Sequence, residues 1–212
     1  MDEMTITYYG HSCFQVSFRG RSVLFDPYQR ESVPGLELPE GIEVDACYCS
    51  HAHADHNARN LVKVTGSRDP FPVTRMEVPH DGVGGQKRGM SQVTLITCGN
   101  VTLAHLGDYG RLPTPSEYEV LCRAQVLFVP CGGFFTIGPQ QAKELIKKVG
   151  APLSILMHFR TGKQDYDVLS DISQIRTIFD GIDERKESVL SFACDAAVPE
   201  GVVTLQPMQE RR

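Results

Sequence analysis

The chain has no tryptophan, no apolar run approaching the ~20 residues of a membrane span, and no basic excess, since 21 Lys and Arg stand against 26 Asp and Glu in 212 residues. A formal net charge of −5 leaves no global positive field to hold a nucleic-acid backbone or an anionic lipid surface. Neither nucleic acid nor membrane is therefore an expected partner, and a small-molecule substrate is. The opening MDEMTITYYG places acidic residues where a signal peptide carries a basic stretch followed by an apolar one, so a soluble, unprocessed chain is expected. A disulfide framework is missing as well. The seven cysteines (Cys13, Cys47, Cys49, Cys98, Cys122, Cys131, Cys194) are odd in number, scattered and mostly inside apolar segments, the pattern of reduced core thiols in a cytoplasmic protein. Cys47-Tyr48-Cys49 lacks the second cysteine pair that would make it a metal knuckle. With no repeat, low-complexity tract or linker, residues 1–212 read as a single domain of unknown oligomeric state.

Short segments rich in Val, Ile, Phe, Tyr or Thr predict strands at 5–9, 13–18, 22–25, 45–50, 76–79, 93–97, 101–104, 126–130, 154–158, 189–193 and 202–205. Cys98-Gly99-Asn100 is a hairpin-turn signal, because Gly and Asn accept positive φ. Helical spacing is strongest at 139–149, which opens on Pro139, stops at Gly150 and repeats Ala142, Leu145, Ile146 and Val149 on one face. Segments 116–124, 172–179 and 57–64 are further helix candidates, and the Pro- and Gly-rich segments 28–43 and 65–75 read as long surface loops. Strands first, then strands alternating with helices, predict an α/β or α+β layered protein.

Chemistry concentrates in Ser50-His51-Ala52-His53-Ala54-Asp55-His56-Asn57. Treating positions as independent, an H-x-H-x-D-H string arises in roughly one in two thousand chains of this composition. His51 and His53, two apart at the end of the predicted strand 45–50, point to one side, and a turn into a helix would deliver Asp55 and His56 beside them. Four nitrogen and oxygen donors within six residues exceed what one tetrahedral zinc takes from a single segment, which favours a dinuclear site. The alternative is a polar loop of mutually hydrogen-bonded histidines.

At this motif the sequence resembles the metallo-β-lactamase fold superfamily of metal-dependent hydrolases. The likeness runs over most of the chain: ITYYGHSCFQVSFRGRSVLFDP is similar to the start of the UlaG-like small metal-dependent hydrolase branch, and VPHDGVGGQKRG, AHLGDYG, LFVPCGGFFTIGPQQA and ILMHFRTG follow in that branch's order. The resemblance implies a four-layer αββα sandwich. It further implies that His51, His53 and His80 hold one metal, that Asp55, His56 and His158 hold the other, and that Asp108 bridges them. His80, Asp108 and His158 each follow a predicted strand, and strand ends on one sheet edge are where distant residues converge. Seven N/O ligands without a thiolate make Zn²⁺ the default for two divalent ions, with Mn²⁺ or Fe²⁺ tolerated. Departures are Pro79-His80-Asp81-Gly82 in place of a G-H-T loop, and Tyr109 where a small hydroxyl residue is common. Asp81 adds a carboxylate with no assigned role. GVGGQKRG is not followed by Gly-Lys-Ser/Thr, which excludes a P-loop.

The expected chemistry is hydrolysis of a small anionic ester, lactone or phosphodiester by hydroxide activated between two metals. Asp55 would shuttle a proton, or else His105, three residues before Asp108, unless strand alternation turns that ring away into a structural role. His11, ahead of the orienting pair Asp26-Pro27, would act behind the ligands or toward the substrate rather than as a ligand. Gly132-Gly133 would shape the pocket wall, and Arg160 would hold an anionic group. A ribonuclease Z-like nuclease and a non-catalytic metal-binding protein on the same fold are the competing readings.

Overall fold

The computed structural model describes residues 2–208, and the expected domain span of 1–212 runs past them at both ends. In chain order the strands are β1 (Glu3–Gly10), β2 (Cys13–Phe18), β3 (Arg21–Phe25), β4 (Glu43–Val44), β5 (Ala46–Tyr48), β6 (Lys63–Val64), β7 (Val73–Pro79), β8 (Met90–Cys98), β9 (Val101–His105), β10 (Val126–Pro130), β11 (Leu153–Met157), β12 (Asp183–Glu184), β13 (Val189–Ala193) and β14 (Gly201–Thr204). The helices are α1 (Pro115–Leu121), α2 (Pro139–Val149) and α3 (Ile172–Ile178). Strands pair into a five-stranded sheet ordered β13-β1-β2-β3-β5 and a seven-stranded sheet ordered β12-β14-β11-β10-β9-β8-β7, with β4 and β6 forming a separate ladder.

Two-residue alternation decides which side chains fill each layer. On the five-stranded sheet Met4, Ile6, Phe14, Val16, Val23 and Phe25 face inward, and on the seven-stranded sheet Ile96, Leu103, Phe128, Ile155 and Val203 face back, together forming the central core. Each such aliphatic or phenyl group withdrawn from water contributes about 1.5–3 kcal/mol. The intervening residues of the seven-stranded sheet, including Val93, Ala104, Leu127, Val129 and Leu156, pack under Leu121, Leu145, Val149 and Ile175 of the three helices. Outward residues of the other sheet, Cys13, Leu24 and Cys47, are covered by Tyr28, Val33, Leu36 and Val62 from the long 26–42 segment and the turn near 60. The sandwich therefore has four layers, with irregular chain forming much of the outermost one on that side.

Local signals explain the helices. Thr114 and Glu117 form a reciprocal capping box on α1, Asp171 and Gln174 one on α3, and α2 opens on Pro139 and ends at left-handed Gly150. Gly99 and Asn100 make the two-residue hairpin between β8 and β9. One expected helix does not form: within 57–64 only Arg59–Leu61 makes a 3₁₀ turn, followed by β6. Its backbone groups are taken by neighbours instead, Ala58 N–H donating to Pro27 O and Lys63 N–H to Ile42 O.

Candidate metal centre

Seven chain segments meet at one edge of the sandwich. The β1–β2 turn brings His11; the end of β3 brings Asp26; the chain after β5 brings residues 50–56; and the ends of β7, β9 and β11 bring His80, Asp108 and His158. The seventh, the 160–166 loop, brings Asp165. The 50–56 segment is a run of bends and turns rather than the expected helix start. It is pinned from two sides, Gln92 N–H donating to Ser50 O and Gln29 N–H to Ala54 O, and is closed on itself by His56 N–H to His53 O. Gly107, at φ +54°, lets the chain turn after β9, and a Cβ there would lie 2.7 Å from Ser50 Cβ.

The expected metal ligands converge. Donor atoms of His51, His53 and His80 lie within 4.8 Å of one another, as do those of His51, His56 and Asp108. Asp108 sits between the two groups, its Oδ2 3.2 Å from His80 Nε2 and 3.3 Å from His158 Nε2, its Oδ1 3.3 Å from His56 Nε2. A third cluster joins Asp55, His56 and His158 with His11. This departs from the expectation for His11: its Nε2 lies among the donor atoms, 3.2 Å from His56 Nε2 and 3.5 Å from Asp55 Oδ2, and not behind them.

Buried carboxylates orient the rings. Asp26 accepts from Ser50 N–H (2.6 Å), Ser50 Oγ–H (2.7 Å) and His56 Nδ1–H (2.8 Å), while Ser50 Oγ lies 2.9 Å from His51 Nδ1. Asp165 accepts from His11 Nδ1 at 2.8 Å. A carboxylate on Nδ1 fixes the tautomer and leaves the Nε2 lone pair facing the centre. Nothing local in the 160–167 sequence signals Asp165, and only the fold brings it across 154 residues to His11. Strain concentrates here too, since His11, Asp26, His158 and Asp165 all have φ between +43° and +74°, a region costing non-glycine residues about 1–2 kcal/mol each.

Charge follows this arrangement. Burial opposes ionisation of His11, but Asp165 and Asp55 outweigh it and lift its pKa to about 9. Burial and the neighbouring His56 hold His51 down at about 3. Asp108 is buried, yet the His158 and His56 rings keep it a carboxylate well below the ordinary range.

Three expectations are corrected. His105 is not placed for proton transfer: both ring nitrogens are engaged, Nε2 donating to Ser12 O (2.9 Å) and Nδ1 accepting from Gly107 N–H (3.2 Å), and the ring stacks on Phe25 at 4.9 Å. Arg160 is committed to Asp171 (2.9 Å) and Gly162 O (3.0 Å), which leaves it a tether of the loop after β11 rather than an anion clamp. Gly132 backs a ligand more than it walls a pocket, because a Cβ there would stand 2.2 Å from His158 O. Asp81 also gains a role: its carboxylate accepts backbone N–H bonds from Val83, Gly85, Lys87 and Arg88 at 2.8–2.9 Å and so organises the glycine-rich loop.

That loop supplies a residue the sequence did not single out. The Arg88 guanidinium lies 5.2 Å from the Phe135 ring and 5.7 Å from Phe134, which is 63% exposed. Phe135 in turn contacts Tyr166 and His158, at 5.6 and 6.4 Å between ring centroids, and Tyr166 Oη, which donates to Ser32 O, lies 3.4 Å from Asp55. Paired phenylalanines after two glycines were visible in the sequence, but their partner Arg88 lies 46 residues away.

The donor set fits divalent cations. His158 Nε2 and Asp108 Oδ1 are buried with no aligned hydrogen bond, only 3.3 Å approaches within the cluster, an arrangement costing about 1–3 kcal/mol per group unless a ligand engages it. All donors are imidazole nitrogens or carboxylate oxygens, the chemistry that suits Zn²⁺, Mn²⁺ or Fe²⁺.

Comparison with known proteins agrees with this geometry. The model of a β-lactamase superfamily domain matches residues 5–158. The chain is 28% identical over 200 residues to a UPF0173 metal-dependent hydrolase of Opitutus terrae, covering 74% of this chain and 86% of that protein. It is 27% identical over 190 residues to one from Methanoculleus marisnigri, covering 74% and 82%. Among solved structures, a proposed Zn-dependent hydrolase of the metallo-β-lactamase superfamily from Thermotoga maritima superposes with a TM-score of 0.73 at 25% identity, over 95% of this chain and 98% of that one. An isothiocyanate hydrolase from Delia radicum gut bacteria shares the fold, with a TM-score of 0.61 at 14% identity over 82% and 91% of the two chains.

Proposed function

The chain belongs to the β-lactamase superfamily, whose domain model spans residues 5–158, and from that premise we propose a metal-dependent hydrolase that takes two divalent cations, zinc by default, and acts on a small anionic ester, lactone or phosphodiester. His51, His53 and His80 would hold one cation, Asp55, His56 and His158 the other, with Asp108 shared. When bound, the pair supplies Lewis acidity that polarises the attacked carbonyl or phosphoryl oxygen and makes water nucleophilic at neutral pH.

The protein groups do the rest. Asp26 keeps the Nδ1 proton on His56, so its Nε2 stays a donor. Asp55 is held as a carboxylate by His11 and His56 against the opposing effect of burial. Partly exposed beside Tyr166 Oη, it is the group positioned to accept the proton of an attacking water. Arg88, one aromatic ring away from His158, would face the anionic group, and Phe134, Phe135 and Tyr166 would cover an apolar part. The net charge of −5 favours a small substrate over nucleic acid.

The observation that carries this reading is the convergence of seven expected donors, several of them buried without an aligned hydrogen bond. Protein purified without chelator, analysed for metal and assayed with Zn²⁺ or Mn²⁺ on phosphodiesters, lactones and thioesters, tests it. About two equivalents and turnover of one class are expected, with His53→Ala abolishing turnover while the fold persists. Less than one equivalent, with none gained on reconstitution, would overturn it.

A further inference from the structure

The two halves of the centre differ in a way the assignment above does not explain. The three-histidine half is the more open: His53 is exposed and His51 half-buried, with only His80 buried. The other half is enclosed, with His11, His56 and His158 no more than 1% exposed.

In the enclosed half three imidazoles crowd one point. His11 and His56 each give Nδ1 to a carboxylate, Asp165 and Asp26, at 2.8 Å. Both protons thus belong on Nδ1, and two Nε2 lone pairs face each other at 3.2 Å. Only a proton on one of them or a cation between them relieves that contact. The His158 ring lies 4.1 Å from that of His11, centroid to centroid, and its Nε2 makes no aligned hydrogen bond, lying 3.3 Å from Asp108 Oδ2. Asp55 Oδ2 adds a negative oxygen 3.5 Å from His11 Nε2. One shared proton could satisfy the first pair but would leave His158 Nε2 with only its 3.3 Å approach to Asp108 Oδ2, whereas one cation engages all four groups. The backbone is built around the same point: His158 N–H and Tyr8 Oη–H both donate to His11 O, locking the turn to the end of β11.

We propose that His11 is a ligand of the buried cation, oriented by Asp165, and that the two positions are consequently unequal. With Asp108 shared, the buried position has five protein donors, of which Asp55 alone reaches the surface, while the outer one, His51, His53, His80 and Asp108, keeps more room for water and substrate. The buried cation is the retained, organising one. The outer cation exchanges. The proposal rests on the two-cation reading above.

Metal content followed through a chelator titration tests it. The wild-type protein should release about one equivalent readily and hold the other at chelator concentrations at least 10-fold higher. His11→Ala should bring the second release down to meet the first, and Asp165→Asn should lower it by roughly 10-fold, the scale of a lost orienting partner. An unchanged retained equivalent in His11→Ala would overturn the role of His11 and leave the hydrolase reading standing. Failure of the wild type to bind any metal would overturn both. A second measurement does not depend on the His11 variant folding. In His53→Ala, which weakens the outer position, X-ray absorption of the remaining zinc should count three imidazoles, from His11, His56 and His158. Two would exclude His11.

Discussion

Replacing Asp26 by Asn separates the physical roles packed into one carboxylate. Its two oxygens accept three protons, from Ser50 N, Ser50 Oγ and His56 Nδ1, at 2.6–2.8 Å, and the residue is 1% exposed. An amide offers one acceptor oxygen and one NH₂. If the NH₂ faces Ser50 N–H, two donors meet in a dry site, and one unsatisfied buried donor costs about 1–3 kcal/mol. If the amide flips, the NH₂ faces His56 Nδ1, which must give up its proton to Nε2, and the lone pair aimed at the centre is lost. The first outcome predicts destabilisation of about 2–3 kcal/mol, a large part of the 5–15 kcal/mol typical of a domain. The second predicts roughly 10- to 100-fold weaker metal binding. Urea unfolding in excess chelator reads the first as a midpoint lowered by about 1 M. Competition with a chelating indicator reads the second. An Asn variant unchanged in both would refute the argument that Asp26 sets the His56 tautomer and pins the loop.

Other consequences are equally direct. Arg88→Ala should raise KM for anionic substrates about 10-fold or more with little change in kcat, the scale of one charge-assisted contact, and leave a neutral lactone unaffected; steady-state kinetics on matched substrates decides it. Gly132→Ala forces a Cβ to 2.2 Å from His158 O, so either strand end must move; a loss of about 2 kcal/mol or more and weaker metal retention should appear in thermal unfolding with and without zinc. Burial alone would raise Glu117, but its paired contacts with Arg111 at 2.7 and 2.8 Å bring it down to about 2. A depressed carboxylate stabilises the fold above its unfolded value near 4.5 and loses that contribution as pH falls toward 2, and water around the pair keeps the gain to about 1 kcal/mol. Glu117→Gln should therefore flatten the stability curve in that window, and an acid titration that coincides with wild type would contradict it.

The strand pattern was legible because alternating burial writes itself into local sequence. Segments 13–18, 126–130, 139–149 and 189–193 correspond to β2, β10, α2 and β13 with the same boundaries. The candidate 57–64 helix failed because its polar and apolar spacing suits a turn that donates its amides to Pro27 and Ile42, partners absent from any local window. His105 illustrates the same limit. Its place three residues before Asp108 left chemistry and a structural role both open, and strand geometry turned its ring into the sandwich against Phe25.

By itself, the sequence determined the chemistry available: an H-x-H-x-D-H segment, further histidines and aspartates after strands, and apolar periodicity enough for two sheets. Those are local properties, carried by residue type and spacing. Tertiary structure decided which nitrogen faces which oxygen. It set Asp165 on His11, aimed Asp81 at its own loop, spent Arg160 on Asp171 and stood Arg88 over Phe135. Such roles depend on distances of a few ångströms between residues up to 154 positions apart, and only the packing of the two sheets fixes them.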